Sequence, residues 1–232
     1  MGSPYKVTEF KKGFWIIEED FVRMFLAEGS EDALLIDTGL GGGDIRGLAE
    51  SLTAKPISVV NTHGDGDHVG GNGQFEAIHM HPSEYDYYLF ERPERGNENL
   101  VPVWEGHIFD LGTRCFEVVL IPGHTPGSIA LFDRANRVLF AGDTLQSTPI
   151  FMFGRGRSLI ALEQTLNKLL NISGEIDTIY PSHGNLEESP EIITGMLEGL
   201  KLIKSGSVEG RDIKEPRPCK LYDSGGAKFL LK

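Results

Sequence analysis

A cluster of potential metal ligands directly after a short apolar segment constrains this chain more than any other sequence feature. Residues 57–61 are rich in apolar, β-branched side chains, which predicts a buried strand that ends where the cluster begins. The four donors within the next few positions are His63, Asp65, Asp67 and His68. Histidine and carboxylate side chains are common metal ligands, and loops after strands commonly carry active sites. Glycines between the donors are also typical of a surface turn, but four donors packed this closely favour a metal site.

Composition limits the classes of protein to consider. A chain of 232 residues with 40% hydrophobic residues can bury a large core, and we expect one domain over residues 1–232, with residues 206–232 forming a C-terminal tail and closing hairpin. The net charge of −12 argues against nucleic-acid or anionic-membrane partners, since both require a positive face. No apolar run approaches the roughly 18 residues of a membrane span, and residues 1–14 lack the apolar segment of a secretory signal. Cys115 and Cys219 are too few for a disulfide scaffold. We therefore expect a cytoplasmic protein.

Strand-like and helix-like patterns occur in both halves of the chain, which predicts an α/β fold. Short β-rich segments broken by turn residues come first, and residues 44–52 and 159–170 then show apolar positions at helical spacing. A further helix is predicted to end near Ile203, with Ser189 as its N-cap and proline in its first turn.

Three more potential ligands follow apolar strands and lie beside glycine: His124, Asp143 and His183. Each of these residues alone is weak evidence for a metal site, because a single histidine after a strand is more often a capping or core residue. Together with the first four they make a set of donors at strand ends that turn formation alone does not explain. Asp37 ends another strand, where it either hydrogen-bonds to a ligand or forms a turn.

The motifs around these residues resemble those of the metallo-β-lactamase superfamily. The matching segments occur in the family's order and are residues 35–39, 62–71, 123–128, 141–144 and 182–184. The resemblance implies an αβ/βα four-layer sandwich, in which two mixed β-sheets lie face to face with helices outside and metals at one edge. Asp143 resembles the bridging aspartate of the thioesterase and lactonase branches, which include the glyoxalase II-like hydrolases.

The resemblance also implies a binuclear site of two divalent metal ions, with zinc as the expected metal. By position, the first ion would be held by His63, Asp65 and His124. The second would be held by Asp67, His68 and His183, and Asp143 would bridge the two. A hydroxide between two metals would attack a carbonyl carbon, and Asp67 is the candidate catalytic residue that would orient it.

Asp65 departs from the family pattern, in which a histidine is usual at this point. Two divalent ions, two carboxylates and a hydroxide leave one net positive charge, and a third carboxylate cancels it. The site would then be a weaker Lewis acid, and iron or manganese would be favoured relative to zinc. A single occupied metal site is a further alternative.

The leading hypothesis is a metal-dependent hydrolase that acts on a small ester, thioester or lactone. The alternatives are an iron-dependent oxidoreductase or oxygen-handling protein of the same fold, and a non-catalytic metal-binding protein. Loops at residues 92–103 and 146–157 are expected to select the small-molecule substrate. Within the second loop, Arg155 and Arg157 either meet a substrate carboxylate or point to solvent.

Overall fold

The N-terminal half of the chain builds a mixed β-sheet. The computed structural model describes residues 3–91, 100–215 and 217–232. Within these ranges the first sheet has seven strands in chain order: β1 (Tyr5–Lys11), β2 (Phe14–Glu19), β3 (Val22–Glu28), β4 (Ala33–Ile36), β5 (Ile57–Val60), β6 (Ile78–Met80) and β7 (Leu100–Pro102). The first four strands are antiparallel, as short turns between them allow, and β4 to β7 are parallel.

A second mixed sheet comes from the middle of the chain. Its strands are β8 (Ile108–Asp110), β9 (Cys115–Leu120), β10 (Ile129–Asp133), β11 (Val138–Gly142) and β13 (Thr178–Pro181). Their order across the sheet is β13-β11-β10-β9-β8. The hairpin of β10 and β11 is antiparallel, whereas β11 and β13 pair in parallel across a long connection.

A small third sheet forms around the C-terminal hairpin. It contains β12 (Ile150–Phe151), β14 (Arg211–Ile213), β15 (Cys219–Asp223) and β16 (Lys228–Leu231). The hairpin strands β15 and β16 pair antiparallel, and β16 also pairs in parallel with β12. The sequence indicated the hairpin but not β12 and β14, which are too short to show a periodic pattern.

The helices follow the predicted apolar spacing at three places. In the described ranges they are α1 (Ile45–Leu52), α2 (Gly66–Val69), α3 (Tyr85–Glu91), α4 (Leu159–Ile172) and α5 (Glu191–Lys204). Asp44 caps α1 and Ser158 caps α4, each by accepting a hydrogen bond from a backbone N–H. The predicted cap of α5 was one residue early, since Pro190 holds the N-cap position.

Successive side chains of a strand point to opposite faces of its sheet, and this explains the layers of the fold. On β3, Phe25 faces the core between the two large sheets, and Met24 faces the opposite side, where α1 packs. On β10, Leu131 faces the same central core, and Phe132 faces the side covered by α4 and α5. The predicted four-layer αβ/βα sandwich of two mixed sheets is therefore confirmed.

Two predicted loops look different in the structure. Of the loop predicted at residues 92–103, residues 92–99 lie outside the described residues and Leu100–Pro102 form β7, which pairs with β6. The loop predicted at residues 146–157 contains β12. Among the described residues, no helix has the length and apolar character needed to cross a bilayer.

Candidate metal centre

The predicted donors lie together at one edge of the sandwich, where strands of both large sheets end. His63, Asp65, Asp67 and His68 follow β5 of the first sheet, and the other three donors follow β9, β11 and β13 of the second. The sequence predicted a loop for the first four donors. The structure corrects this, because Asp67 and His68 lie within the short helix α2 and Asp65 is its N-cap residue.

Close packing behind α2 explains the glycines that follow the donors. The Gly70 N–H donates to the Gly39 carbonyl at 2.7 Å. A Cβ atom at Gly70 would lie 2.2 Å from the backbone carbonyl of Leu40, so any other residue would push the two segments apart. The ligand turn is therefore held against the end of β4.

Among the described residues, the donor atoms form two groups, each with one atom per residue and all atoms within 4.8 Å of one another. These groups are His63, His124 and Asp143, and Asp67, His68 and His183. The two oxygens of Asp143 face different groups. Asp143 Oδ2 lies 4.0 Å from His63 Nε2 and 3.7 Å from His124 Nε2. Asp143 Oδ1 lies 3.2 Å from Nε2 of both His68 and His183. The Asp143 carboxylate therefore lies between the two groups.

The four histidines present the same ring nitrogen to the centre. In each ring Nδ1 makes a hydrogen bond away from the centre, which fixes the ring and leaves Nε2 facing inward. The partners are Thr62 Oγ1 at 3.0 Å for His63, Asp37 Oδ2 at 2.8 Å for His68, the Phe151 carbonyl at 3.0 Å for His124 and the Phe21 carbonyl at 2.9 Å for His183.

Three buried polar atoms at the centre make no hydrogen bond to any described residue: His63 Nε2, His68 Nε2 and Asp143 Oδ1. Leaving a buried polar atom without a partner costs about 1–3 kcal/mol, and a metal ion at the centre would give all three atoms a partner. Sets of imidazole nitrogens and carboxylate oxygens are what zinc and other divalent transition metals bind. The residues present therefore fit metal ions.

The charges at the centre favour a cation. Burial opposes protonation of His68, but the carboxylates of Asp143, Asp67 and Asp37 outweigh it and raise the pKa of His68 well above its usual value. For His183, burial also lowers the pKa, but Asp143 is the main group that raises it, to about 10. A negative field that stabilises imidazolium also attracts a divalent ion.

Asp37 performs both of the roles that the sequence left open. Its backbone has φ of 65°, which makes the turn after β4. Its buried carboxylate accepts hydrogen bonds from the Thr62 N–H at 2.7 Å and hydroxyl at 2.8 Å, and lies 2.8 Å from His68 Nδ1. Asp37 therefore orients a predicted ligand and the segment that carries another.

Glu84 was not found from the sequence, although it connects two of the ligand segments. Its side chain is fully buried. Oε2 accepts a hydrogen bond from the Gly64 N–H at 2.9 Å, and Oε1 accepts one from the Gly127 N–H at 2.6 Å. These glycines lie beside His63 and near His124. Nothing in the local pattern around Glu84 indicates partners so distant in the sequence.

Arg23 holds the segment that carries His183. Its backbone N–H donates to the Ser182 carbonyl at 2.9 Å, and its guanidinium donates to the carbonyls of Pro181 at 2.9 Å and Asn185 at 3.0 Å. Arg23 belongs to β3 of the first sheet, so the segment of the predicted ligand His183, from the second sheet, is positioned by the first.

Comparison with known proteins identifies the family. A family model described as the metallo-beta-lactamase superfamily matches residues 17–183. The chain belongs to the metallo-beta-lactamase superfamily. It is 28% identical over 219 residues to the acyl-coenzyme A thioesterase MBLAC2 of Gallus gallus, covering 75% of this chain and 78% of that protein. It is 29% identical over 144 residues to a hydroxyacylglutathione hydrolase of Francisella tularensis, covering 59% of this chain and 54% of that protein.

Solved structures show the same fold. A metallo-beta-lactamase from Pontibacter korlensis superimposes with a TM-score of 0.72 at 19% identity, covering 85% of this chain and 99% of that one. The protein TTHA1623, solved in a di-iron-bound form, superimposes with a TM-score of 0.59 at 26% identity, covering 76% of this chain and 91% of that one. The metallo-beta-lactamase fold implies divalent metal ions, and the two groups of donors are candidates to hold them.

Asp65 is the residue at which this metallo-beta-lactamase site departs from the usual pattern. Its Oδ2 atom lies 3.1 Å from His124 Nε2 and 3.6 Å from His63 Nε2, so it faces the first group of donors. Burial raises the pKa of Asp65, but the hydrogen bond with His124 and the nearby His63 imidazole outweigh it and hold the pKa well below its usual range. Asp65 is therefore a carboxylate in the structure.

The same carboxylate is bound from its other side. Arg157 Nη2 lies 2.7 Å from Asp65 Oδ1 and 2.6 Å from Oδ2, and the Tyr87 hydroxyl donates to Oδ1 at 2.5 Å. Only 7% of the Arg157 side chain is exposed. Neither role expected for Arg157, in substrate binding or in solvent, matches this pairing. Arg155 is exposed, in agreement with the solvent alternative, and its guanidinium carbon lies 4.5 Å from the centroid of the Phe90 ring.

Proposed function

We propose that this protein is a binuclear metallo-hydrolase that cleaves a small ester, thioester or lactone. The observation that carries the proposal is the pair of donor groups joined through Asp143, with buried nitrogen and oxygen atoms that have no partner among the described residues. Hydrolases among the relatives, one of them a thioesterase, support the same reaction class.

The proposed ligands are the seven donors identified above. The first ion would be held by His63, Asp65 and His124, the second by Asp67, His68 and His183, and both by Asp143. When bound, two divalent ions supply an activated water and polarise the carbonyl of the substrate. Zinc is the metal that we propose, since histidine-rich sets with a few carboxylates suit it.

Asp67 is the proposed catalytic residue. Its side chain is 24% exposed, more than the other carboxylates of the centre, and its Oδ2 lies 3.3 Å from His183 Nε2. A carboxylate between the ligands and solvent can accept a hydrogen bond from the attacking water and orient it toward the substrate.

Thioesters are the first substrates to test, because relatives include an acyl-coenzyme A thioesterase and a hydroxyacylglutathione hydrolase. A net charge of −12 disfavours nucleic acid and anionic membranes as partners. Two free cysteines, at Cys115 and Cys219, are consistent with a reducing compartment, and we propose the cytoplasm.

One observation favours iron as a second candidate metal. Asp65 adds an oxygen donor beside His63 and His124, and harder oxygen donors suit iron and manganese better than zinc. A relative that is 26% identical has been solved in a di-iron-bound form. An iron-dependent oxidoreductase or oxygen-handling protein is therefore the second candidate function.

Metal analysis and a substrate panel test these proposals together. Protein reconstituted with zinc, manganese or iron is assayed with acyl-coenzyme A, acyl-glutathione, aryl ester and lactone substrates. We expect two zinc ions per chain and thioester cleavage that a chelator abolishes. Two bound metals without cleavage of any substrate contradict the hydrolase, and iron with a redox reaction supports the second candidate.

Asp67→Asn is the variant for this test. We expect its kcat/KM to fall by about 10²–10⁴-fold, the usual contribution of a positioned acid–base group. Asp212→Asn is the control, since the Asp212 side chain is 86% exposed and remote from the centre. Equal activity of the two variants contradicts the role of Asp67.

A further inference from the structure

We propose that Arg157 compensates the charge of Asp65, so that the pair takes the place of the neutral histidine usual at this point of the metal site. This inference rests on the metal site of the proposed function. It assigns to Arg157 a positioning and electrostatic role toward the metal, and none in contact with substrate.

The geometry lets Asp65 bind a metal and Arg157 at the same time. Oδ2 faces the Nε2 atoms of His124 and His63, and Oδ1 receives the hydroxyl of Tyr87. Arg157 Nη2 lies beside both oxygens, 2.7 Å from Oδ1 and 2.6 Å from Oδ2. A carboxylate offers about four lone-pair positions on its two oxygens. Oδ2 can therefore bind a metal with one lone pair while Oδ1 keeps Tyr87 and Arg157, and metal-ligating carboxylates are commonly hydrogen-bonded in this way.

The charge count shows what the pairing changes. Asp65, Asp67 and Asp143 bring three negative charges to the centre, one more than a site with histidine in place of Asp65. A guanidinium is always protonated in proteins, so Arg157 removes the excess. Once Arg157 is counted, the net charge of the site equals that of a site with a neutral histidine at this position.

Contacts of Arg157 with Tyr87, and of the next residue with the Gly123 segment, fix the position of the arginine. Its guanidinium carbon lies 4.9 Å from the centroid of the Tyr87 ring, and its side chain is nearly buried. The next residue, Ser158, caps α4 and donates its N–H to the carbonyl of Gly123 at 2.9 Å. Because Gly123 precedes His124, the segment that delivers the arginine is tied to the segment that delivers a ligand.

Zinc titration of the metal-free full-length chain against a chelating dye tests the inference. In Arg157→Gln, Asp65 keeps Tyr87 and both histidines but loses its countercharge. We expect one of the two zinc-binding steps to tighten by at least about tenfold, because a unit positive charge is removed within a few ångströms of a shielded cation site. A residue with only a structural role would weaken binding when removed.

Two controls separate charge from packing. Arg155→Gln removes a neighbouring arginine that does not contact Asp65, and it should bind zinc like the wild type. Arg157→Lys keeps the charge and should stay closer to the wild type than to Arg157→Gln. Binding by Arg157→Gln that is unchanged or weaker overturns the inference, as does Arg157→Lys behaving like Arg157→Gln.

A double substitution supplies the decisive comparison. Asp65→His alone leaves a nearly buried guanidinium unpaired beside the metal, and we expect weaker zinc binding than in the wild type. Asp65→His with Arg157→Gln removes that charge and should regain affinity. A single Asp65→His variant that binds as well as the double variant overturns the inference. Failure of the wild type to bind zinc would instead contradict the proposed metallo-hydrolase.

Discussion

Glu84 shows how one buried side chain can hold two ligand segments in place. Its carboxylate accepts hydrogen bonds from the backbone N–H groups of Gly64 and Gly127. In Glu84→Gln the amide NH₂ faces one of these donors, and we expect the free energy of unfolding to fall by about 1–3 kcal/mol. Urea unfolding of the metal-free protein measures this loss. Glu76→Gln, at an exposed position, should change stability by less than about 0.5 kcal/mol, and equal stability of both variants contradicts the role.

Asp37 is expected to control metal affinity through His68, whose Nδ1 atom lies 2.8 Å from its carboxylate. Asparagine tolerates the positive φ of this position, so Asp37→Asn changes chiefly the partner of His68 Nδ1. Loss of such a partner typically lowers metal affinity by about 10–100-fold, which zinc competition with a chelator measures. Asp44→Asn is the matched control, because asparagine caps a helix as well as aspartate does. Wild-type affinity in Asp37→Asn would show that His68 does not need this carboxylate.

Single residues differ in how far the sequence predicts them. The seven donors could be found because each follows an apolar strand and lies beside glycine or another donor. The structure brings all seven to one edge, and their role as ligands stays a prediction. Arg157 could not be paired with Asp65 from sequence, because 92 positions separate them and neither neighbourhood shows a pattern that indicates the other.

Helices and strands could be predicted from the sequence where their pattern of apolar residues was long enough. β3, β4, β10 and β11 are nearly or fully buried runs of apolar residues, and α4 spans 14 residues with a clear apolar face. β7, β12 and β14 have three residues or fewer, so no alternation can show. α2 is a single turn of four residues rich in glycine and aspartate, which also favour turns.

The contact between α4 and the segment of His124 leaves no room for a side chain at Gly123. Gly123 has φ of 147°, and a Cβ atom there would lie 2.6 Å from Leu162 Cα in α4. Gly123→Ala must displace the helix or the ligand, and overpacking of this kind costs about 1–3 kcal/mol. Urea unfolding measures the loss. Gly174→Ala, where nothing lies within 4 Å of the new Cβ, should be nearly neutral, and similar losses for both variants contradict the contact.

Across the whole molecule, we predict that residues 1–232 unfold as one domain. Ala227 and Phe229, near the C-terminus, belong to the same core cluster as Leu162 of α4 and Met196 of α5. Truncation after residue 205 exposes that core and should lower the free energy of unfolding by several kcal/mol. For the full chain, thermal unfolding followed by circular dichroism and by tryptophan fluorescence should coincide. Two separate transitions would show that the C-terminal tail is an independent unit.

Metal removal should also act on the whole molecule. A ligand that binds only the folded state at 100 times its Kd adds about 2.7 kcal/mol of stability. We expect chelation to lower the Tm of the zinc-loaded protein accordingly, as calorimetry can show. Asp143→Asn, which weakens the proposed bridge, should show a smaller shift. A Tm that does not respond to chelator in zinc-loaded protein contradicts binding at the folded centre.

The donors come from both large sheets, so an ion held by them is also a cross-link between the two layers. Such a cross-link would exist only while the end of β5 in the first sheet and the ends of β9, β11 and β13 in the second stay together. Separation of the sheets at this edge and release of the metal are therefore one event. Amide hydrogens at this edge should exchange with solvent at rates that depend on free zinc, whereas those at the opposite edge exchange independently of it.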